Sequence, residues 1–146
     1  MLRNMKPSST GHFETREKAG GVKQKSKILM IDDEKDFCHT MKLCLEKFGL
    51  YEVDVCSDAV EGMKKIEGKT YDVIFLDVLM PKIEGHEALA KIKSVTRTPV
   101  VILSAYISPA VESQVVRLGA LACIRKPVEV DQLVLLTHKA LEEKRF

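Results

Sequence analysis

Five short apolar runs, at 28–31, 51–56, 73–76, 100–103 and 122–124, each give way to a helix-length amphipathic stretch, and this alternation constrains the fold more than any other feature. Strand followed by helix, repeated, builds a parallel sheet covered by helices on both faces. Four of the runs are too continuously apolar for strands with one wet face, so they belong inside the sheet. The run from Tyr51 to Cys56 alternates apolar with polar residues (Glu52, Asp54), as an edge strand does. Helices are expected over 35–48, stopped by Gly49; from a cap at Ser57 or Asp58 to Gly68; over 84–95; from Ser108 and Pro109 to Gly119; and over 130–145. Phe37, Met41, Cys44 and Phe48 form the expected core stripe of the first helix. Val130, Leu133, Val134, Ala140 and Leu141 form that of the last, with Leu135 on its opposite side.

The first 26 residues do not share this pattern. Pro7, Ser8, Ser9, Thr10, Gly11, Gly20 and Gly21 lie among few apolar residues, so 1–26 is expected to be a flexible leader and 27–146 a single domain. The leader carries six of the 23 basic residues and two of the 21 acidic ones, which leaves 17 basic against 19 acidic in the domain. A mildly acidic domain argues against direct nucleic-acid binding, which needs a clustered basic face. The longest apolar run is five residues, 120–124, against the roughly 20 needed to span a membrane, so neither membrane association nor a secretory signal is expected and the chain is placed in the cytoplasm. Cys38, Cys44, Cys56 and Cys123 form no C-x-x-C pair, and His12, His39, His86 and His138 show no ligand spacing; reduced thiols and ordinary histidines are expected.

Polar residues with chemical potential gather where strands end. Asp32 and Asp33 follow the first run, Asp77 the third, Ser104 the fourth and Lys126 the fifth. In an open parallel sheet those ends line the ligand crevice, at the point where strand order reverses. Taken alone, Asp-Asp after a strand is as well explained as a helix cap. Taken together, three converging carboxylates repel one another, and a divalent cation with few protein ligands, such as magnesium, relieves that repulsion. A hydroxyl and an ammonium beside them make a cradle for a phosphoryl group, with Asp77 as nucleophile.

Four segments carry a family likeness: Ile28 through Asp32, Asp33 and Glu34; Val73 through Asp77 and Pro81, with Gly85; Val100 through Ser104 and Ala105; and Gly119-Ala120 leading to Lys126-Pro127. Over about residues 27–146 the chain resembles the receiver domain of two-component response regulators, the CheY-like family. The resemblance implies a flavodoxin-like, doubly wound five-stranded parallel sheet of order 2-1-3-4-5. It implies that Asp77 accepts phosphate from a histidine kinase or phosphotransfer protein, and that Asp33, Asp77 and the Leu79 backbone carbonyl hold magnesium or manganese directly, with Asp32 acting through water. Ser104 would hydrogen-bond a phosphoryl oxygen, Lys126 would pair with one, and the Lys126–Pro127 bond would be cis. Such a chain catalyses only its own phosphorylation and dephosphorylation, and signals to a downstream protein partner as a monomer or a phosphorylation-linked dimer.

Two positions depart from the family pattern or modulate it. Cys123 stands three residues before the lysine, where an aromatic switch residue is usual, so the loop of Ala105, Tyr106 and Ile107 is expected to carry the signal instead. Apolar Leu79 and bulky Tyr106 flank the site, and slow self-hydrolysis is expected. Alternative readings are a scaffold that no longer accepts phosphate, a receiver piece of a larger regulator, and a phosphatase of the haloacid-dehalogenase kind. The last wants an aspartate two residues after the nucleophile, where Leu79 stands.

Overall fold

The structure, a computed structural model, describes residues 16–17, 23–78 and 85–143. Most of the expected leader, Leu79, the start of the third helix at Glu84 and the end of the last at Arg145 lie outside the described residues. A two-residue antiparallel ladder joins Arg16–Glu17 to Lys23–Gln24. The main sheet has strands β1 (Ser26–Ile31), β2 (Tyr51–Cys56), β3 (Val73–Asp77), β4 (Val100–Ser104) and β5 (Ala122–Arg125). All are parallel, in the order β2-β1-β3-β4-β5, with Ile28 level with both Val53 and Val73. Helices α1 (Lys35–Glu46), α2 (Ala59–Gly68), α3 (Gly85–Val95), α4 (Pro109–Arg117) and α5 (Val130–Glu143) alternate with them.

The apolar runs are continuous because both faces of the sheet are covered. Leu29, Ile31, Ile74, Leu76, Val100 and Ile102 pack on one side against Ala59, Leu89, Ile92 and Val115 of α2, α3 and α4. Their neighbours in sequence, Ile28, Met30, Val73, Phe75, Val101 and Leu103, pack on the other against Leu45 of α1 and Leu133, Val134 and Ala140 of α5. Each such side chain contributes about 1.5–3 kcal/mol by leaving water. β2 lies at the rim as expected, and its wet side is occupied: Asp54 accepts hydrogen bonds from the Tyr71 hydroxyl at 2.6 Å and from Lys69 at 2.9 Å.

Local signals set the helix ends. Asp58 Oδ1 accepts from the Glu61 N–H at 2.8 Å, and Ser108 Oγ from the Val111 N–H at 3.2 Å, with Pro109 in the first turn of α4. Gly49 and Gly119 adopt φ of +75° and +100°, which other residues enter at a cost. α1 ends at Glu46, two residues short of expectation, because Phe48 N–H turns back to the Leu45 carbonyl at 3.2 Å. Phe37 and Met41 pack against the core as expected, but the buried residues of the helix are Cys38 and Leu45, while Phe48 is exposed and meets Tyr51 edge-on at 6.1 Å, so Leu45 takes the place expected of Phe48. In α5, Leu135 is exposed as expected, but Thr137 joins the buried face, its hydroxyl satisfied by the Leu133 carbonyl at 2.7 Å.

α2 approaches the sheet closely at Gly62, where an added Cβ would lie 2.5 Å from Ile31 Cδ1 and 3.1 Å from its Cγ1. Ile31 is fully buried in the core, so it can give way only by displacing packed neighbours. Gly62→Ala would gain about 1 kcal/mol of helix propensity but force overpacking worth about 1–3 kcal/mol. A net loss of about 1 kcal/mol is expected, read as a lower urea midpoint with unchanged slope.

Candidate functional site

Asp77 and Ser104 are the last residues of β3 and β4; Asp32 follows β1 and Lys126 follows β5. Because the strands are parallel and in register, with Asp77 level with Leu103 and Ser104 level with Arg125, all of these side chains emerge from one edge. β1 and β3 are neighbours and their connections leave in opposite directions, which opens the crevice between their ends. One carboxylate oxygen each from Asp32, Asp33 and Asp77 lies within 4.8 Å of the others. Asp32 and Asp77 are buried, whereas Asp33 is exposed.

Lys126 ties this cluster together. Its ammonium donates to Asp32 Oδ2 at 2.6 Å and to Glu34 Oε1 at 2.5 Å, and it stands 3.4 Å from Asp77 Oδ2. The Phe37 ring lies beneath it, 4.8 Å from Nζ to the centroid. The Lys126–Pro127 peptide is cis, and Lys126 N–H donates to the Ser104 carbonyl at 2.8 Å. Asp32 does part of the structural work that a helix cap would do, accepting from the Glu34 N–H at 2.9 Å, yet Glu34 occupies the cap position of α1. Glu34 and Phe37 are the residues around Lys126 that sequence reasoning missed. Glu34 directly follows the aspartate pair, but nothing local signals a partner 92 residues away.

Burial raises the Asp32 carboxyl from an ordinary 3.8 to about 6; hydrogen bonds from Lys126 and Glu34 N–H oppose this, and the Asp77 charge adds to it. Burial works against the charge on Lys126, but the hydrogen bonds it donates to Asp32 and Glu34 outweigh that cost and keep it protonated. The Cys38 thiol, 3.5 Å from the Asp32 carbonyl, is pushed up to about 12 by burial and is inert as a nucleophile. All four cysteines are free thiols.

A carboxyl raised on folding favours the folded state below its unfolded value and loses that contribution as pH rises through its folded value. Metal-free protein is therefore expected to lose stability from this group between about pH 4 and pH 6. Asp32→Asn should flatten that dependence and raise metal-free stability at pH 7 by on the order of 1 kcal/mol, measured by urea unfolding across pH with a chelator present.

Ser104 is fully buried, and its hydroxyl donates to the Tyr106 carbonyl at 2.9 Å while accepting from the Tyr106 N–H at 3.2 Å. The serine thus grips the backbone of the loop expected to relay the signal. The Tyr106 ring is exposed; Cys123 is half-buried on β5 and packs against the side of the core formed with α2, α3 and α4. Leu79, the expected source of a metal-binding carbonyl, lies outside the described residues.

Fold and site together define a flavodoxin-like α/β domain with an acidic mouth and the Lys126 ammonium at its switch point. Residues 28–138 match the family model described as the response regulator receiver domain. The chain belongs to this family of two-component receiver domains. It is 30% identical over 120 residues to the transcriptional regulatory protein ZraR of Klebsiella oxytoca, covering 82% of this chain and 27% of that one. It is 31% identical over 109 residues to the CpxR homologue of Haemophilus influenzae, covering 75% and 47%. The chain thus spans less than half the length of these curated relatives. Among solved structures, a two-component response regulator from Clostridium difficile superposes with a TM-score of 0.78 at 27% identity, covering 84% of this chain and all of that one. A receiver domain protein from Clostridium thermocellum gives 0.75 at 32% identity, covering 82% and 97%. No helix among the described residues is long and apolar enough to cross a membrane.

Proposed function

We propose that this domain is the phosphoacceptor switch of a two-component relay, with Asp77 as the acceptor. The observation that carries the reading is the convergence of Asp32, Asp33 and Asp77 on one point with the Lys126 ammonium beside them. The donor is a phosphorylated histidine on a kinase or phosphotransfer protein. An Asp77 carboxylate oxygen attacks its phosphorus; the O–P bond forms as the P–N bond breaks, and the imidazole leaves with the bonding electrons and takes up a proton.

The donor set fits a hard divalent cation: oxygen ligands only, one of them exposed, with Asp32 held above the usual carboxylate range by burial and, in smaller part, by the Asp77 charge, even with Lys126 beside it. Asp33, Asp77 and the Leu79 carbonyl would hold magnesium, or manganese, with Asp32 reaching it through water. Such an ion supplies charge neutralisation at the phosphoryl oxygens. Lys126 balances charge on the transferred group, and Ser104 exchanges its bond to Tyr106 for one to a phosphoryl oxygen, pulling on the loop 105–107. That displacement reshapes a surface read by a downstream protein, in the cytoplasm and without direct nucleic-acid contact, as a monomer or a phosphorylation-linked dimer.

Incubation with a small phosphodonor and magnesium is expected to add the mass of one phosphoryl group, and a chelator to prevent it. A wild-type chain that gains nothing under saturating donor and metal would favour the scaffold reading.

A further inference from the structure

Lys126 makes its shorter contacts away from the residue it serves. An ammonium has three N–H donors. Two make short contacts with Asp32 and Glu34, and the distance to Asp77, 3.4 Å, lies at the outer edge of a hydrogen bond. The Phe37 ring sits 4.8 Å away and attracts the cation through its π face. Neither Glu34 nor Phe37 has a part in the phosphoryl chemistry set out above, yet both hold the group that does. The Glu34 side chain is 60% exposed against 1% for Asp32, so Glu34 is the partner that can be released without stranding a buried charge.

Resting on the reading of Asp77 as phosphoacceptor, we propose that Glu34 and Phe37 are positioning residues that hold Lys126 in a standby pose, from which it leaves Glu34 to pair with a phosphoryl oxygen on Asp77. The resting contacts then compete with phosphoryl binding, and weakening them strengthens it.

The test is the affinity of beryllofluoride, a phosphoryl mimic, at saturating magnesium, followed by amide shifts in wild type, Glu34→Gln, Phe37→Leu and Phe37→Tyr. Glu34→Gln is expected to tighten binding roughly fivefold, the scale of an exposed ion pair. Phe37→Leu changes no charge, so a gain of roughly two- to fivefold there separates release of the lysine from simple loss of a negative charge near the anion. Phe37→Tyr keeps the aromatic face and should show wild-type affinity; a merely structural role for the ring would not tighten binding in the Leu variant. Unchanged or weaker binding by Phe37→Leu, with wild type binding normally and Asp77→Asn not binding, overturns the standby pose and leaves the phosphoacceptor reading intact. Failure of wild type to bind the mimic or take up phosphate overturns both.

Discussion

Asp77→Asn is expected to take up no phosphoryl group from a small phosphodonor under conditions where wild type is modified to completion. The amide has nearly the shape of the carboxylate, so the end of β3 and its register with Leu103 should persist, but its oxygen has lost the charge that makes it a nucleophile. The variant is also expected to fold more stably without metal. Asp77 is buried beside Asp32, and its charge is one of the contributions that raise the Asp32 carboxyl, after burial itself. Removing it relieves repulsion worth on the order of 1 kcal/mol, while Lys126 keeps Asp32 and Glu34 as partners. Gain of stability with loss of modification is the signature of a residue placed for chemistry.

Lys126→Met should do the reverse. The thioether fills the volume of the lysine stem, but Asp32 and Asp77 are left buried together without the ammonium that joins them. Breaking a buried ion pair on one side costs about 3 kcal/mol or more. With the hydrogen bond from Lys126 gone, the Asp32 carboxyl rises above its value of about 6, so the damage should be greatest at high pH and relieved as acid protonates it. Uptake of phosphate should slow roughly a hundredfold, the usual effect of removing one charge-stabilising donor. Lys126→Met that unfolds no more easily at pH 8 than at pH 5 would contradict this electrostatic account.

The sheet is legible in the sequence because its strands are buried on both sides: Ile28 through Ile31 must be apolar at every position, not every second one. The rim strand is legible for the opposite reason, since Glu52 and Asp54 face Lys69 and water. Caps at Asp58 and Ser108 are local chemistry and read directly. The end of the α1 stripe is not legible: whether Phe48 or Leu45 meets the core depends on how the helix docks and on the turn before Gly49. Thr137 was hidden because a threonine that bonds its own helix passes for a polar surface residue.

The site divides in the same way. Residues at strand ends come together because parallel register delivers them to one edge, and a short polar step after an apolar run marks that place in the sequence. The partners of Lys126 come from the first turn of α1 and from the residue before it, and their meeting with the far end of the chain is a tertiary event. The sequence points to the loop 105–107 as the relay but not to what holds it, which is the pair of hydrogen bonds between Ser104 and the Tyr106 backbone.

Borohydride reduction of the phosphorylated protein, followed by peptide mapping, locates an acyl phosphate by the change it leaves in one aspartate. Reduction confined to position 77 is what convergence of the carboxylates and the ammonium predicts. Label at Asp32 or Asp33, or at no aspartate while the intact mass still rises, would contradict it.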